Sequence, residues 1–335
     1  MKIEIENKLI GENEPCFIIA EVGSNHNRNL KLAKNYIELA KKVGANAVKF
    51  QTFKADNLVS KKYAKQMYDI IKKYELKPEW HIELKEFADK LGIIFLSTPF
   101  DEESADLLEQ VGVSAFKIAS GDLTHLPLLE YVAKKQKPMI LSTGGANITE
   151  IAGAISEIRN QENNNIILLQ CVSNYPTLIQ NANIKTMQKM EEIFLLPVGF
   201  SDHSLGNIIP LTAVALGASI IEKHITSCRY TVGSDHFFAT EPAEFQKMIQ
   251  DIRCLEKALG TEKKCLLKCE ERESKMARRC LFARIDISEG TKITKDMIEA
   301  LRPEIGMHPK YLNFVIGKKA KIDIVKDEII TWDMV

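Results

Sequence analysis

An excess of charge of either sign is missing from this sequence. Its 335 residues include 45 Lys plus Arg and 45 Asp plus Glu, so the net charge is close to zero. Proteins that bind nucleic acid or an anionic membrane surface rely on a basic excess. The sequence therefore predicts neither partner, and an anionic ligand must be held by local positive groups.

Long apolar runs and paired cysteine motifs are missing as well. No run approaches the roughly 18 apolar residues of a membrane span, and the first fifteen residues lack the features of a secretory leader. The seven cysteines are scattered, and Cys265 and Cys269 have no second pair beside them that would complete a zinc site. We expect free thiols, no membrane segment and a place in the reducing cytoplasm.

Strand-length apolar runs alternate with stretches of helical periodicity over the first 260 residues. Strands are predicted at residues 17–21, 47–51, 93–97, 115–119, 139–142, 166–171, 197–200 and 219–222. Helices are predicted at residues 30–43, 105–111, 128–135, 148–159, 211–216 and 242–259. Eight units of similar length favour an α/β fold of the (β/α)8 TIM-barrel type over an open, doubly wound sheet.

The pattern changes after the last predicted helix, so we assign residues 1–260 to the barrel. Residues 261–277 are rich in charge and weakly periodic, which predicts a linker. Residues 278–335 contain short β-like pieces with turn signals and predict a small second domain. A module of this size gains stability if it packs on something else.

Two short apolar runs, VGFSDH and IIEKH, each end in a histidine. If the runs are neighbouring parallel strands, His203 and His224 leave the same end of the sheet and can share one divalent cation. The alternative is two unrelated histidines, one that caps a helix and one that packs in a core.

Two further strands, AVKFQT and AFKIAS, carry a lysine on the same face as small residues. A buried lysine is costly unless an anion or a carboxylate receives it. Lys49 and Lys117 either pair with structural acids such as Glu21 or Glu222, or converge in the barrel mouth to bind phosphate or carboxylate. Hydroxyl groups that could complete such a site follow other strands, at Thr98, Ser120, Ser142 and Ser173.

Acidic and aromatic side chains also lie where active sites of barrels are found. Glu21 ends the first strand, where it can orient a hydroxyl group, transfer a proton or pair with Lys49. The motifs SGD and GSDH place Asp122 and Asp235 in loops on the same face. Tyr175 can pack on a substrate or fold over the barrel.

Taken in order, these motifs resemble the sialic acid synthases. The matching pieces are IIAEVGSNHN, AVKFQTF, LSTPFD, AFKIASGD, LSTGGAN, LLQCVSNYPT, VGFSDHS, IEKHIT, GSDH, RPEIG and GKKA. They cover nearly the whole chain, and residues 278–335 resemble the β-rich antifreeze-like (SAF, β-clip) domain of that family.

The resemblance implies condensation of phosphoenolpyruvate with an N-acylhexosamine in a domain-swapped homodimer. It implies that His203 and His224 hold Mn²⁺, Mg²⁺ or Co²⁺, and that Arg302 reaches the sugar from the partner subunit. The implied phosphoenolpyruvate contacts are Lys49, Thr98, Lys117, Ser120 and Ser142. The implied contacts to sugar or water are Glu21, Gln51, Tyr175 and Asp235, and we place Asp122, Ser173 and Asn174 in the substrate site as well.

The chain departs from the family pattern in three places. Asp122 stands where bacterial members often carry Glu, and Ser173 stands where Asn is usual, with Asn174 after it. The segment 54–80 is also shorter than in many relatives.

Several alternatives stay open. The sugar is N-acetylmannosamine, its 6-phosphate, or the precursor of legionaminic or pseudaminic acid. A Schiff-base pyruvate aldolase with Lys117 as nucleophile is a second enzyme hypothesis. A carbohydrate- or ice-binding protein without catalysis is the third.

Overall fold

A computed structural model describes residues 1–335, which form two units, Met1–Gly260 and Thr261–Val335. The strands are β1 (Lys2–Ile5), β2 (Lys8–Gly11), β3 (Phe17–Glu21), β4 (Ala47–Thr52), β5 (Ile94–Pro99), β6 (Phe116–Ile118), β7 (Met139–Ser142), β8 (Ile166–Cys171), β9 (Val198–Asp202), β10 (Ile220–His224), β11 (Cys280–Ala283) and β12 (Ile298–Leu301). The helices are α1 (Leu30–Val43), α2 (Ala55–Leu58), α3 (Lys65–Lys72), α4 (Pro78–Leu91), α5 (Glu102–Val111), α6 (Leu126–Ala133), α7 (Ile148–Asn160), α8 (Lys185–Phe194), α9 (Ile208–Ala215), α10 (Pro242–Leu259), α11 (Glu271–Ala277) and α12 (Leu312–Val315). None of these helices is long and apolar enough to cross a membrane.

The first unit is built on an eight-stranded parallel sheet. Its strand order is β5-β4-β3-β10-β9-β8-β7-β6, and β5 also packs beside β6, which closes the sheet into a barrel. The predicted TIM barrel is therefore confirmed. All eight predicted strands are present, and their ends differ by at most two residues from those predicted.

The helices between the strands form where apolar periodicity and end signals agree. In α1, Ala33, Tyr36, Ile37 and Ala40 share the buried face, Asn29 accepts the Leu32 N–H, and Gly44 ends the helix with a φ of 92°. Glycine is favoured at this position because it has no Cβ and adopts the left-handed conformation without strain. The periodicity did not reveal α2, α3, α4 and α8. The segment 54–80 folds into α2, α3 and the first turn of α4.

A hairpin that the sequence did not predict closes the amino-terminal end of the barrel. Strands β1 and β2 pair antiparallel. Their apolar residues Ile3, Ile5 and Ile10 pack in one cluster with the first inward residues of the barrel strands, such as Phe17 and Ile220. This end of the barrel is therefore filled, and only the carboxyl end is left for a ligand.

Side chains of the barrel strands alternate between two apolar layers. Phe17 and Ile19 lie in the inner cluster, whereas Ile18 and Ala20 pack in the outer layer against the helices. Continuing the alternation along each strand brings the last inward residue to the carboxyl end of the barrel.

The second unit has its own core around the antiparallel pair β11 and β12. Leu281, Ile293, Val315 and Ile324 are buried there. The segment 261–277, predicted as a linker, contains the helix α11 at Glu271–Ala277.

Candidate active site at the carboxyl end of the barrel

The register of three neighbouring strands lines up three of the predicted site residues. His224 of β10 pairs with Glu21 of β3, and Glu21 pairs with Lys49 of β4. All three side chains are buried, at 8%, 1% and 3% exposure. Parallel pairing therefore brings together an imidazole, a carboxylate and an ammonium group from distant parts of the chain.

Both lysines contact buried carboxylates. The Lys49 Nζ lies 2.7 Å from Glu21 Oε2 and 3.7 Å from Glu222 Oε2. The Lys117 Nζ lies 3.5 Å from Glu222 Oε1. Pairing with acids and convergence in the mouth, which the sequence offered as alternatives, therefore occur together, with Glu222 between the two ammonium groups.

Hydroxyl groups and an amide complete this cluster. Lys117 donates to Ser142 Oγ at 2.7 Å, and Lys49 donates to Thr98 Oγ1 at 3.3 Å. Gln51 donates to Glu21 Oε1 at 2.8 Å. Glu21 Oε2 contacts only the Lys49 ammonium group, and Glu222 Oε2, which is 3.7 Å from Lys49 Nζ, accepts no hydrogen bond.

The two glutamates differ in their protonation. Burial raises the pKa of Glu21 to about 7, and the attraction of Lys49 offsets only part of that rise. Burial would also raise the pKa of Glu222, but Lys117 and Lys49 together outweigh it and lower the pKa to about 2. Glu222 is therefore a fixed negative charge, whereas Glu21 gains or loses a proton near neutral pH.

The pKa values of Lys49 and Lys117 are shifted in opposite directions. Burial lowers the pKa of Lys117, and the Glu222 charge offsets this only in part. Burial acts in the same direction on Lys49, but Glu21 and Glu222 outweigh it and raise its pKa. An incoming anion would stabilise the charged form of either group.

A small polar recess adjoins Lys117. The Gly144 N–H donates to Ser120 Oγ at 3.0 Å. A Cβ at Gly144 would collide with Ser173 Oγ and come within 2.9 Å of Ser120 Oγ and 3.2 Å of Cys171 Sγ. Glycine is favoured at this position because its backbone lies against the hydroxyl groups of Ser120 and Ser173.

The two histidines lie side by side in the mouth, with ring centroids 5.5 Å apart. His203 Nδ1 bonds to the Val172 carbonyl at 3.0 Å, which leaves Nε2 free. His224 Nδ1 is buried without a hydrogen-bond partner and lies 3.8 Å from Asp235 Oδ2. Burial is the main cause that lowers the pKa of each histidine to about 4.

Neutral imidazoles with free nitrogens fit a divalent transition-metal ion. No group of three or more His, Cys, Asp or Glu side chains could hold a metal ion. His203 and His224 are therefore the two side chains that would hold such a cation here.

Aromatic rings enclose the histidines. The Tyr175 ring lies 4.2 Å from that of His203, and the Phe238 ring lies 4.9 Å from that of His224. Tyr175 and Phe238 also pack on each other at 5.2 Å. Phe238 was not singled out in the sequence, since nothing in its local pattern distinguishes it from a core residue.

The loop after β10 is tied to the loop after β3. Asp235 Oδ2 accepts the Ser24 N–H at 2.9 Å. His236 of the same GSDH motif bonds to Thr226 Oγ1 at 2.7 Å and is fully buried. Asp235 therefore lies beside the histidines, while His236 anchors the loop.

The remaining predicted residues are not part of the buried cluster. Asp122 lies in a short 3₁₀ helix after β6, and its carboxylate makes no hydrogen bond, although burial raises its pKa to about 6. Asn174 contributes backbone bonds to Val172 and Thr177. Arg302 follows β12 in the second unit and is exposed.

A cavity of about 520 Å³ lies elsewhere on the first unit, lined by α3, α4 and α5. Of its deeper polar groups, Thr52 bonds to His81 at 2.9 Å and to Ser97 at 2.7 Å. None of the predicted site residues lines this cavity, so we place the site at the barrel mouth.

Comparison with known proteins identifies the family to which the chain belongs. A NeuB family profile matches residues 36–264, and a SAF domain profile matches residues 278–335. An uncharacterized protein of Methanocaldococcus jannaschii is 44% identical over 99% of this chain and 98% of its own length. The N,N'-diacetyllegionaminic acid synthase of Legionella pneumophila is 40% identical over 96% of this chain and 95% of its own.

A solved structure agrees in fold. The N-acetylneuraminic acid synthetase of Leptospira borgpetersenii, crystallised with citrate, superposes with a TM-score of 0.76 at 38% identity. The match covers 82% of this chain and 95% of that one. The chain belongs to the NeuB family, and its residues 278–335 are a SAF domain.

Proposed function

We propose that this protein is a nonulosonic acid synthase that condenses phosphoenolpyruvate with an N-acylhexosamine and releases phosphate. One observation supports this most strongly: two buried lysines and two neutral histidines share one barrel mouth in a member of the NeuB family. Two of the relatives named above are a synthase of N,N'-diacetyllegionaminic acid and a synthetase of N-acetylneuraminic acid.

Lys49 and Lys117 would bind the carboxylate and phosphate of phosphoenolpyruvate. Ser142 and Thr98 already accept from them, and Ser120, Ser173 and the Gly144 N–H line the adjoining recess. The ammonium group of lysine attracts a multiply charged anion, and hydroxyl and backbone groups around it donate hydrogen bonds to the anion. Phosphoenolpyruvate would compete with Glu21 for Lys49, and a protonated Glu21 would release that ammonium group.

His203 and His224 would hold a divalent cation, with Mn²⁺ as our first choice and Mg²⁺ or Co²⁺ as alternatives. Such an ion supplies Lewis acidity toward the aldehyde oxygen of an open-chain sugar. The Val172 carbonyl fixes the His203 tautomer, and burial keeps both rings neutral for ligation.

The proposed reaction needs no covalent intermediate between substrate and enzyme. The methylene carbon of phosphoenolpyruvate forms a bond to the aldehyde carbon, and the aldehyde oxygen takes up a proton. Positive charge develops on the central carbon of phosphoenolpyruvate, and water adds there with loss of a proton. The resulting hemiketal phosphate releases inorganic phosphate by carbon–oxygen cleavage.

Glu21 is suited to the proton transfers of this sequence, because its pKa of about 7 allows both protonation states near neutral pH. Gln51, bonded to Glu21, and Asp235, beside His224, would orient the sugar or the attacking water. Tyr175 and Phe238 would exclude bulk water from the histidines. Holding two substrates in contact supplies much of the rate enhancement.

The sugar and the assembly are proposed from resemblance. N-acetylmannosamine, its 6-phosphate, and the precursors of legionaminic and pseudaminic acid are the candidates. We also propose a domain-swapped homodimer in which Arg302 of one chain serves the site of the other.

A panel assay tests the proposal. Phosphate release is measured with phosphoenolpyruvate and each candidate sugar, before and after treatment with a chelator and again after Mn²⁺ is added. One sugar should give turnover that the chelator removes and Mn²⁺ restores. Phosphoenolpyruvate labelled at the bridging oxygen should deliver the label to phosphate, as carbon–oxygen cleavage requires. No phosphate release with any sugar would contradict the proposal and favour a non-catalytic carbohydrate-binding protein.

The lowered pKa of Lys117 also favours a second candidate, a Schiff-base pyruvate aldolase, because an uncharged amine is the nucleophile there. Borohydride treatment with pyruvate distinguishes the two. A covalent adduct on Lys117 would identify the aldolase, and unmodified Lys117 is what the condensation mechanism requires.

A further inference from the structure

A buried ion pair links β9 and β10 outside the mouth. Lys223 bonds to Asp202 Oδ2, and the two side chains are only 2% and 1% exposed. By strand alternation they lie in the outer layer, on the face opposite to His203 and His224. The proposed chemistry makes no use of them.

The pair also holds the backbone where β9 ends. Lys223 donates to the Ser204 carbonyl at 2.7 Å, and the Ser204 N–H donates to Asp202 Oδ1 at 2.9 Å. These bonds join the two strands and fix the turn on both sides of His203. Buried charges are costly unless paired and hydrogen-bonded, and here both conditions are met.

The position along the strands suggests a purpose. Asp202 immediately precedes His203, and Lys223 immediately precedes His224. The paired register of β9 and β10 ends at Lys223 and Asp202, so this pair is the last link between the strands before the histidines. An apolar pair of similar volume would serve packing alone as well or better.

We propose that Lys223 and Asp202 are positioning residues for the cation site, a role that rests on the metal binding in the proposed function. Their bonds fix the ends of β9 and β10 relative to each other. This holds the imidazoles of His203 and His224 at the separation that one cation requires, although neither Lys223 nor Asp202 touches the cation.

The test compares metal affinity with stability in the full-length chain. The double variant Asp202→Leu/Lys223→Met replaces the pair by apolar side chains. We expect a folded protein with a lower melting temperature, because the N–H and carbonyl of Ser204 lose these partners. Mn²⁺ binding, measured by calorimetry, should be weaker by about 10–100-fold. Wild-type Mn²⁺ affinity in this folded variant would overturn the positioning role.

Two further variants keep the result clear. Arg253→Met/Glu256→Leu removes an ion pair of α10 that bonds to the backbone of Cys16, next to the first residue of β3. It should leave Mn²⁺ affinity unchanged. If the apolar variant does not fold, Asp202→Asn/Lys223→Met removes both charges and the bonds from Lys223 but keeps an acceptor for the Ser204 N–H. A wild-type affinity in this variant would equally overturn the role.

The proposed metal site and this inference fail in different ways. If the wild type and His203→Ala both show no Mn²⁺ binding, the metal site itself is wrong, and the positioning role falls with it. If the wild type binds Mn²⁺ and the apolar double variant binds it equally well, the metal site stands and only the positioning role is wrong.

Discussion

Lys49 and Glu21 meet at 2.7 Å in the mouth of the barrel, and neither side chain is more than 3% exposed. With Lys117 and Glu222 close by, the cluster contains two ammonium and two carboxyl groups. A multiply charged anion can enter this cluster favourably only if a carboxyl group is protonated or a cation is added. If phosphoenolpyruvate binds here as we propose, its binding should be coupled to the uptake of a proton or of a cation.

The first prediction concerns pH. Because the pKa of Glu21 is raised to about 7, the group is protonated below that pH, where it releases Lys49. Phosphoenolpyruvate binding should weaken as pH rises above 7, by up to about tenfold per unit if one proton is taken up with the anion. Calorimetry between pH 7 and 9 measures this slope. Glu21→Gln should flatten it, and an unchanged slope in that variant would contradict the coupling.

The second prediction concerns the lysines. Lys49→Met and Lys117→Met should each raise the KM for phosphoenolpyruvate and lower kcat, with a loss in kcat/KM of about 100-fold or more. Lys54→Met is the control, since Lys54 pairs with Glu103 at the surface. Steady-state phosphate release measures all three. Equal activity of Lys49→Met and Lys54→Met would rule out the anion-binding role of Lys49.

The third prediction concerns the cation. His203→Ala removes one of the two proposed ligands, so Mn²⁺ affinity should fall by at least about tenfold and turnover should fall with it. His125→Ala removes an exposed histidine that caps α6, and it should bind Mn²⁺ as the wild type does. Calorimetry measures the Mn²⁺ affinity, and phosphate release after chelation measures the turnover that depends on metal. Full activity of chelated His203→Ala is the result that would exclude a metal role.

The fourth prediction concerns acid stability. Burial lowers the pKa of His26, His203 and His224 to about 4 each, whereas unfolded histidine titrates near 6.5. Between these values the unfolded chain binds more protons, so stability is complete above pH 6.5 and is lost as pH falls toward 4. Each histidine contributes a slope of about 1.4 kcal/mol per pH unit.

Urea unfolding of the metal-free protein across this range measures the slope. His26→Gln should remove about one histidine's share of it, because glutamine takes up no proton. A slope that is the same in this variant would mean that His26 titrates normally in the folded protein.

The fifth prediction concerns the proposed domain swap. Lys117→Met and Arg302→Ala should each be nearly inactive alone. In a mixed dimer, one site would combine an intact Lys117 with an intact Arg302, so random mixing should restore about a quarter of wild-type activity. Two differently tagged chains refolded together allow this measurement. Mixed dimers without activity would show that Arg302 does not serve the partner subunit.

Much of the barrel could be predicted from the sequence because its signals are local. The apolar runs and the helical stretches define alternating elements, and strand alternation alone places Lys49 and Gln51 on one face. The same reasoning put His203 and His224 at the ends of two neighbouring strands. The β1–β2 hairpin was missed because its residues acquire their role only by packing under the barrel.

The linker expectation for 261–277 shows a different limit. Its high charge hides the short helix α11, since a helix without a buried face gives no apolar periodicity. Phe238 was overlooked for a related reason: its importance comes from the rings of Tyr175 and His224 around it.

The sequence by itself determined the order of the strands, the inward side of each one and the residue types that reach the barrel mouth, because these follow from periodicity along the chain. Only the tertiary structure decided that Glu222 lies between the two lysines, that Glu21 titrates near neutral pH and that Lys223 bonds to Asp202. Those properties depend on distances and burial among groups far apart in sequence, and closure of the barrel sets both.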